Sequence, residues 1–213
     1  MQRIFSDADL AAAVDELIRI EPRFGGIVER HGLPPLRLVP LGLESLLRIV
    51  TDQLISLQAG AAIWKRVTER LSPFDPDFIL SHGEADLKGL GLSGAKARTF
   101  LAAAEMAKLG GFDAARISSL DDQTLISALT SIRGVGAWTA EIYLLTAVGH
   151  SDSWPTGDVA LQAAVHDLLA LGERPTARAM IAIGEPWRPY RSAAARLLWS
   201  HYRGLKGMGQ AII

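Results

Sequence analysis

The sequence predicts an all-α protein, and three observations predict it. Apolar residues recur at helical spacing through nearly the whole chain. Nowhere do apolar and polar residues alternate over a long run, and no Asn-Gly or Asp-Gly pair offers a hairpin turn between strands. Glycine- and proline-rich breaks divide the chain into about nine or ten helices of ordinary length.

In chain order, a pair of helices is expected before the break Gly32-Leu33-Pro34-Pro35. The Pro-rich segment Leu33 to Pro40 reads as a connector. From Leu43 to Leu71 the apolar residues Leu43, Leu46, Leu47, Val50, Leu54, Leu57, Ala61, Trp64 and Val67 follow the i, i+3, i+4, i+7 rule. That spacing predicts one long helix with a buried stripe. Further breaks fall at Ser72-Pro73, Gly89 to Gly94, Gly110-Gly111, Gly134 to Gly136, Ser151 to Gly157 and Gly184 to Pro189. The glycine-rich tail, Gly204 to Gly209, is expected to lie outside the packed body.

Composition narrows the function. Hydrophobic residues make up 49% of the 213, too many for a disordered chain. There is no cysteine, which excludes disulfides, thiolate metal sites, iron–sulfur clusters and a cysteine nucleophile. The longest apolar run of interest, Ile142 to Val148, is far short of the roughly 20 residues of a spanning helix. The acidic start (Asp7, Asp9, Asp15, Glu16) is unlike a signal segment. A cytoplasmic protein with no membrane partner is expected. The net charge of −1 argues against a purely electrostatic DNA coat but leaves room for local nucleic-acid contacts.

Two patterns are decoys. Gly89-Leu90-Gly91-Leu92-Ser93-Gly94 spells the dinucleotide-binding pattern, but no strand precedes it. A helix ending near Gly89 or Gly91, followed by one N-capped by Ser93, explains it better. The five histidines, His31, His82, His150, His166 and His201, show no metal-ligand spacing, and no G-x-S-x-G elbow exists.

The informative stretch runs from Leu125 to Gln162. A short amphipathic helix leads into Ile132-Arg133-Gly134-Val135-Gly136, and a second helix starts near Ala137. Two glycines around one apolar residue let the backbone turn tightly and approach another surface closely. Main-chain N–H groups at the start of the second helix favour an anion, and a phosphodiester fits. An ordinary core hairpin satisfies the same pattern. Trp138-Thr139-Ala140 follows the turn, and Trp154-Pro155-Thr156-Gly157-Asp158 opens the next helix. Asp158 suits an N-cap as well as a catalytic carboxylate.

These blocks resemble the helix-hairpin-helix superfamily of DNA glycosylases, and within it the 3-methyladenine DNA glycosylase II type. The resemblance covers roughly Leu43 to Arg203. Asp52-Gln53-Leu54-Ile55-Ser56, Gly91-Leu92-Ser93-Gly94-Ala95-Lys96-Ala97, the hairpin with Trp138-Thr139-Ala140, Pro155-Thr156-Gly157-Asp158, and Trp187-Arg188-Pro189-Tyr190-Arg191-Ser192 with Trp199 occur in the family's order. The resemblance implies two helical lobes around a cleft. Residues 43–150 would form the hairpin-bearing lobe. Residues 1–42 would pack with 151–213, the lobe carrying the aspartate. Residues 1–42 are too few for the β-domain of the family's larger bacterial members, so none is expected.

The same resemblance assigns roles. Asp158 becomes the catalytic carboxylate, with Asp152 the nearby competitor that lacks the Pro-x-Gly lead-in. Trp138 and Trp199 match the aromatic pocket for a cationic alkylated base. Ile142 departs from relatives that have tyrosine there, and Tyr143 is the adjacent candidate. Gln53 and Leu54 match residues that fill the gap left by the extruded nucleotide. Arg133, Gly134, Val135, Gly136, Ala137 and Thr139 would contact the DNA backbone. The carbonyls of Thr130, Ile132 and Val135 match those that hold a structural Na+ or K+ in relatives, with no cofactor needed for catalysis. The chain would act as a monomer on double-stranded DNA containing alkylated bases. It would be monofunctional, since Trp138 stands where bifunctional relatives carry lysine. Deaminated or mismatched bases, and a non-catalytic DNA-binding module, are the alternative readings.

Overall fold

The computed structural model describes residues 3–207, in which thirteen α-helices and one 3-10 turn carry the chain. Among the described residues no strand forms; Arg3 and His150 share a single isolated antiparallel bridge. The all-α expectation therefore holds. The helix count exceeds the expected one because several short helices of five or six residues form between Pro76 and Ser119, and because the long helix from Leu43 is broken. The chain divides into two compact units, Met1–Leu38 with Leu144–Ile213, and Val39–Tyr143.

The unit Val39–Tyr143 contains α3 (Leu43–Asp52), α4 (Leu57–Leu71), α5 (Pro76–Leu80), α6 (Glu84–Gly89), α7 (Gly94–Lys108), α8 (Ala114–Ser119), α9 (Asp122–Thr130) and most of α10 (Ala137–Thr146). Helix α7 is its centre, packed on α3, α5 and α6. Ala97, Ala103 and Ala104 are fully buried, and their small side chains let neighbouring helices come close while Phe100 fills the space between. Leu46, Leu47, Val50, Val67, Leu71, Ile79 and Leu87 complete this core. Ser93 caps α7, its hydroxyl accepting from Lys96 N–H at 3.3 Å, and α6 ends at Gly89, as expected for the decoy glycine run.

The other unit holds α1 (Asp7–Ile20), α2 (Arg23–His31), the end of α10, α11 (Val159–Leu168), α12 (Ala177–Gly184), the 3-10 turn Glu185–Trp187 and α13 (Arg191–Leu205). Helix α13 is the organising element, packed on α11, α2 and α1. Ala193, Ala194 and Ala195 are again fully buried alanines at helix contacts. The Trp187 ring stands edge-on to Phe24 (5.1 Å) and to Trp154 (5.4 Å), and the Trp154 indole N–H donates to the Met180 carbonyl at 2.8 Å. These ring contacts account for two of the five tryptophans as core. Helix α1 starts with a capping box between Ser6 and Asp9. The tail expectation needs correction at its start. Gly204 lies within α13, where an added Cβ would overlap the His31 ring, so this part of the tail is packed. Residues 208–209 lie outside the described range.

Candidate active site

The hairpin joins α9 to α10. Ile132 N–H donates to Leu129 O at 3.1 Å, and Val135 N–H to Ile132 O at 3.0 Å, which closes the turn. Ile132 and Val135 are buried, while Arg133, Gly134, Gly136 and Ala137 are exposed. Gly134 has φ +87°, and an added Cβ would overlap the Thr99 hydroxyl of α7. Glycine is therefore required there twice, by conformation and by space. An added Cβ at Gly136 would meet nothing within 4 Å. The first intrahelical bond of α10 runs from Ala140 N–H to Gly136 O at 3.1 Å, so the amides ahead of it point out of the helix end. The Thr139 side chain turns inward. It is buried, and its hydroxyl accepts from Gln53 Nε2 at 2.7 Å. Trp138, half-buried, sits between the exposed turn and this buried threonine.

Of the carbonyls matched to a monovalent cation, those of Ile132 and Val135 belong to the same turn and that of Thr130 ends α9. Neutral main-chain oxygens suit a hard, singly charged ion. The Ile132 carbonyl accepts one hydrogen bond and retains a second lone pair, so it can still serve such an ion. Among the described residues no cluster of His, Asp and Glu could hold a metal.

The expected long helix breaks at the Gln53–Leu54 block. Helix α3 ends at Asp52 and α4 begins at Leu57, capped by Ser56, whose hydroxyl accepts from Ala59 N–H at 3.2 Å. Leu54 lies between them with φ +56° and is fully exposed. A left-handed leucine carries about 1–2 kcal/mol of backbone strain. The apolar spacing placed Leu54 and Leu57 in a buried stripe; the structure exposes both, with Ile55. The cause is tertiary. Lys96 of α7 donates from Nζ to Thr51 O at 2.8 Å and Gln53 O at 2.7 Å, taking carbonyls at the end of α3. Asp52 turns onto α4 beside Gly60, where a Cβ would overlap its carboxylate, and it pairs with Arg48 Nε at 2.8 Å. Burial pushes the Asp52 carboxyl up, opposed by Arg48 and Lys96, and its Oδ1 is buried without a hydrogen-bond partner.

Tyr143 is fully buried. Its hydroxyl accepts from Gly42 N–H at 3.0 Å and donates to Gly42 O at 3.3 Å, and its ring packs edge-on against Phe112. A base contact needs exposed ring surface, which this tyrosine lacks; it ties the connector to α10 instead. Neighbouring Ile142 is also buried.

Asp158 belongs to the other unit. Asp158 N–H donates to Pro155 O at 2.9 Å, and Gln162 Nε2 donates to Thr156 O at 2.9 Å, which fixes the Pro-Thr-Gly turn. Oδ1 of Asp158 accepts from Leu161 N–H at 2.9 Å as the N-cap of α11, and from the Trp199 indole N–H at 3.3 Å. Capping and a site role are thus compatible: the cap fixes the carboxylate's orientation. Trp199 acts through its N–H on the aspartate. Asp152 is held differently. Arg191 reaches it from Nε at 2.7 Å and from a second nitrogen at 2.9 Å, and Arg188 reaches it at 2.8 Å. Its charge is neutralised by two guanidinium groups in a structural clamp. The matched arginines of the C-terminal block serve this clamp, a role the residue pattern did not signal.

An all-α body whose glycine turn exposes main-chain amides at a helix start defines a helix-hairpin-helix protein. The chain belongs to the family described as "HhH-GPD superfamily base excision DNA repair protein", which it matches over residues 47–189. It is 25% identical to YfjP of Bacillus subtilis over 181 residues, covering 81% of this chain and 63% of YfjP. It is 26% identical over 202 residues to the "Alkylbase DNA glycosidase-like protein mag2" of Schizosaccharomyces pombe, covering 91% of this chain and 94% of mag2. The fold is similar to that of the 3-methyladenine DNA glycosylase Mag1 of the same yeast, solved with abasic DNA, at a TM-score of 0.81 and 24% identity over 92% of this chain and 97% of Mag1. No helix among the described residues is long and apolar enough to cross a membrane.

Proposed function

We propose that the protein is a monofunctional DNA glycosylase that flips alkylated purines of the 3-methyladenine and 7-methylguanine type out of duplex DNA and excises them with water. The observation that carries this reading is Asp158, whose Oδ1 is fixed by the α11 N-terminus and the Trp199 indole after a rigid turn. Breaking an N-glycosidic bond builds positive charge on the sugar. A carboxylate held in place stabilises that charge and orients or deprotonates water. Alkylated purines already carry positive charge, which weakens the bond. The half-buried Trp138 is assigned to the pocket that attracts such a base, a contact of about 1–2 kcal/mol.

The other assignments divide the work on DNA. The exposed amides of Gly134, Gly136 and Ala137, with Arg133, hold phosphate without reading sequence, whereas Val135 is buried with its N–H on Ile132 O and shapes the turn instead of contacting DNA through its amide. Thr139 contributes its main chain there, because its hydroxyl is engaged by Gln53. Leu54 fills the gap left by the base, offsetting part of an unstacking cost of a few kcal/mol. A structural Na+ or K+ on the carbonyls of Thr130, Ile132 and Val135 goes with the hairpin. The enzyme acts as a monomer, and a cytoplasmic location goes with its substrate. Mag2's name and Mag1's substrate support the alkylated-base class.

The lysines are Lys65, Lys88, Lys96, Lys108 and Lys206, so none accompanies the hairpin or Asp158 in sequence. An indole cannot form an imine, so water is the nucleophile and the strand stays intact. The test is chromatographic analysis of bases released from methylated DNA, beside uracil-containing and mismatched duplexes, with borohydride added to trap any imine. Release of 3-methyladenine or 7-methylguanine with no trapped adduct is expected. Release of uracil alone, or a robust covalent adduct, would overturn the reading.

A further inference from the structure

Lys96 lies on the turn of α7 that follows the Ser93 cap, well away from the hairpin in sequence. Its amine makes two hydrogen bonds, to the carbonyls of Thr51 and Gln53 at 2.8 and 2.7 Å. These carbonyls end α3, where the helix dipole is negative and a cation is favoured. The next residue is Leu54, in a left-handed conformation with its side chain in solvent. Gln53 is held a second time, through its side-chain amide on Thr139 at 2.7 Å. Nothing in the local sequence favours the left-handed state at Leu54, and helical spacing favours continuing α3 into α4. Partial burial pushes the Lys96 amine down and nearby Asp52 pushes it up.

We propose that Lys96 is the positioning residue of the Leu54 wedge: by taking the Thr51 and Gln53 carbonyls it stops α3 and holds Leu54 projecting for insertion into DNA. This rests on the reading of Leu54 as the group that fills the gap. Lys96 contacts neither the base nor the sugar in this role. Replacing it lets the turn relax and withdraws the leucine, so extrusion of a stacked base slows. Phosphate binding by the hairpin is untouched.

The experiment measures single-turnover excision from a duplex carrying one 7-methylguanine, for Lys96→Met, Leu54→Ala and the double variant. The same lesion in a one-nucleotide bulge, already unstacked, is the second substrate. Lys96→Met and Leu54→Ala are each expected to slow excision of the paired lesion about tenfold, and the double variant to be no slower than Leu54→Ala alone. Both single variants should return to within about twofold of wild type on the bulge. Undamaged-DNA binding should not change. If Leu54→Ala is as fast as wild type, the wedge reading itself fails. If Leu54→Ala is slow but Lys96→Met is not, the wedge stands and the role of Lys96 is overturned. A double variant about a hundredfold slower would show that Lys96 acts independently of Leu54, which also overturns it. So would a Lys96→Met chain that does not fold, because a clamp on one exposed turn leaves the bodies of α3 and α7 intact.

Discussion

The hairpin turn and the Leu54 turn solve the same problem in opposite ways. Each places one residue in the left-handed region between two helices, Gly134 at φ +87° and Leu54 at φ +56°. The hairpin uses glycine, so the conformation is cheap and is written into the local sequence. The Leu54 turn uses leucine, so the conformation is strained, and it is flanked by tertiary hydrogen bonds from Lys96 to the Thr51 and Gln53 carbonyls and from Gln53 to Thr139. In the proposed roles, a turn that presents backbone to a phosphate can lack a side chain, whereas one that presents a side chain to a base stack cannot and needs tertiary support.

Four changes sharpen or break this contrast, beginning with the largest effect. Gly134→Val should destabilise the fold by about 3 kcal/mol or more, because the new side chain meets both the left-handed backbone and Thr99. Denaturant unfolding reads this directly; a midpoint near wild type would show that the glycine is not structurally required. Gly136→Val should unfold like wild type, since its Cβ enters open space. Its binding to damaged and undamaged DNA should fall alike, by about tenfold, as expected when a phosphate contact is obstructed. Loss confined to damaged DNA would contradict the backbone role.

Leu54→Gly should stabilise the fold by up to about 1 kcal/mol while slowing excision, because it relieves strain and removes the wedge together. A less stable Leu54→Gly protein would mean that the leucine is at ease in its turn. The smallest effect concerns Asp52, at the base of this turn. Burial raises its carboxyl above the unfolded value, so the folded state binds more protons than the unfolded state between the two pKa values. Asp52 therefore favours folding less as pH rises from about 4 through its folded pKa. Asp52→Asn should remove that pH-dependent loss, visible as a flatter Tm against pH in the mildly acidic range. An unchanged profile would mean that burial does not govern this carboxyl.

The contrast also explains what was legible in the sequence. Gly134, Gly136 and the cap at Asp158 act locally, so residue type and spacing exposed the hairpin and the helix start. The glycine run from Gly89 to Gly94 was legible for the same reason, through Ser93. Leu54 and Leu57 sit at helical spacing, and the partner that breaks the helix is Lys96 on another element, so the pattern favoured one long helix. The Asp152 clamp was equally hidden, because Arg188 and Arg191 lie in α13 and the turn before it. Tyr143 neighbours the position matched to a base contact, but both it and Ile142 are buried, and the bonds of its hydroxyl to Gly42, about a hundred residues away, are invisible in the local sequence. Periodicity shows which face of a helix is apolar; it does not show where a distant side chain will stop that helix.

In the proposed function Asp158 performs the chemistry while other parts of the chain bind DNA. The direct measurement is single-turnover release of methylated bases by Asp158→Asn, beside its affinity for the same duplex by fluorescence anisotropy. The asparagine keeps an oxygen for the Leu161 N–H and the Trp199 indole but carries no charge. The rate should fall about a thousandfold, within the span for a lost charge-stabilising or proton-accepting group, with affinity within about twofold of wild type. Base release within about tenfold of the wild-type rate would contradict the account and return Asp158 to a helix cap alone.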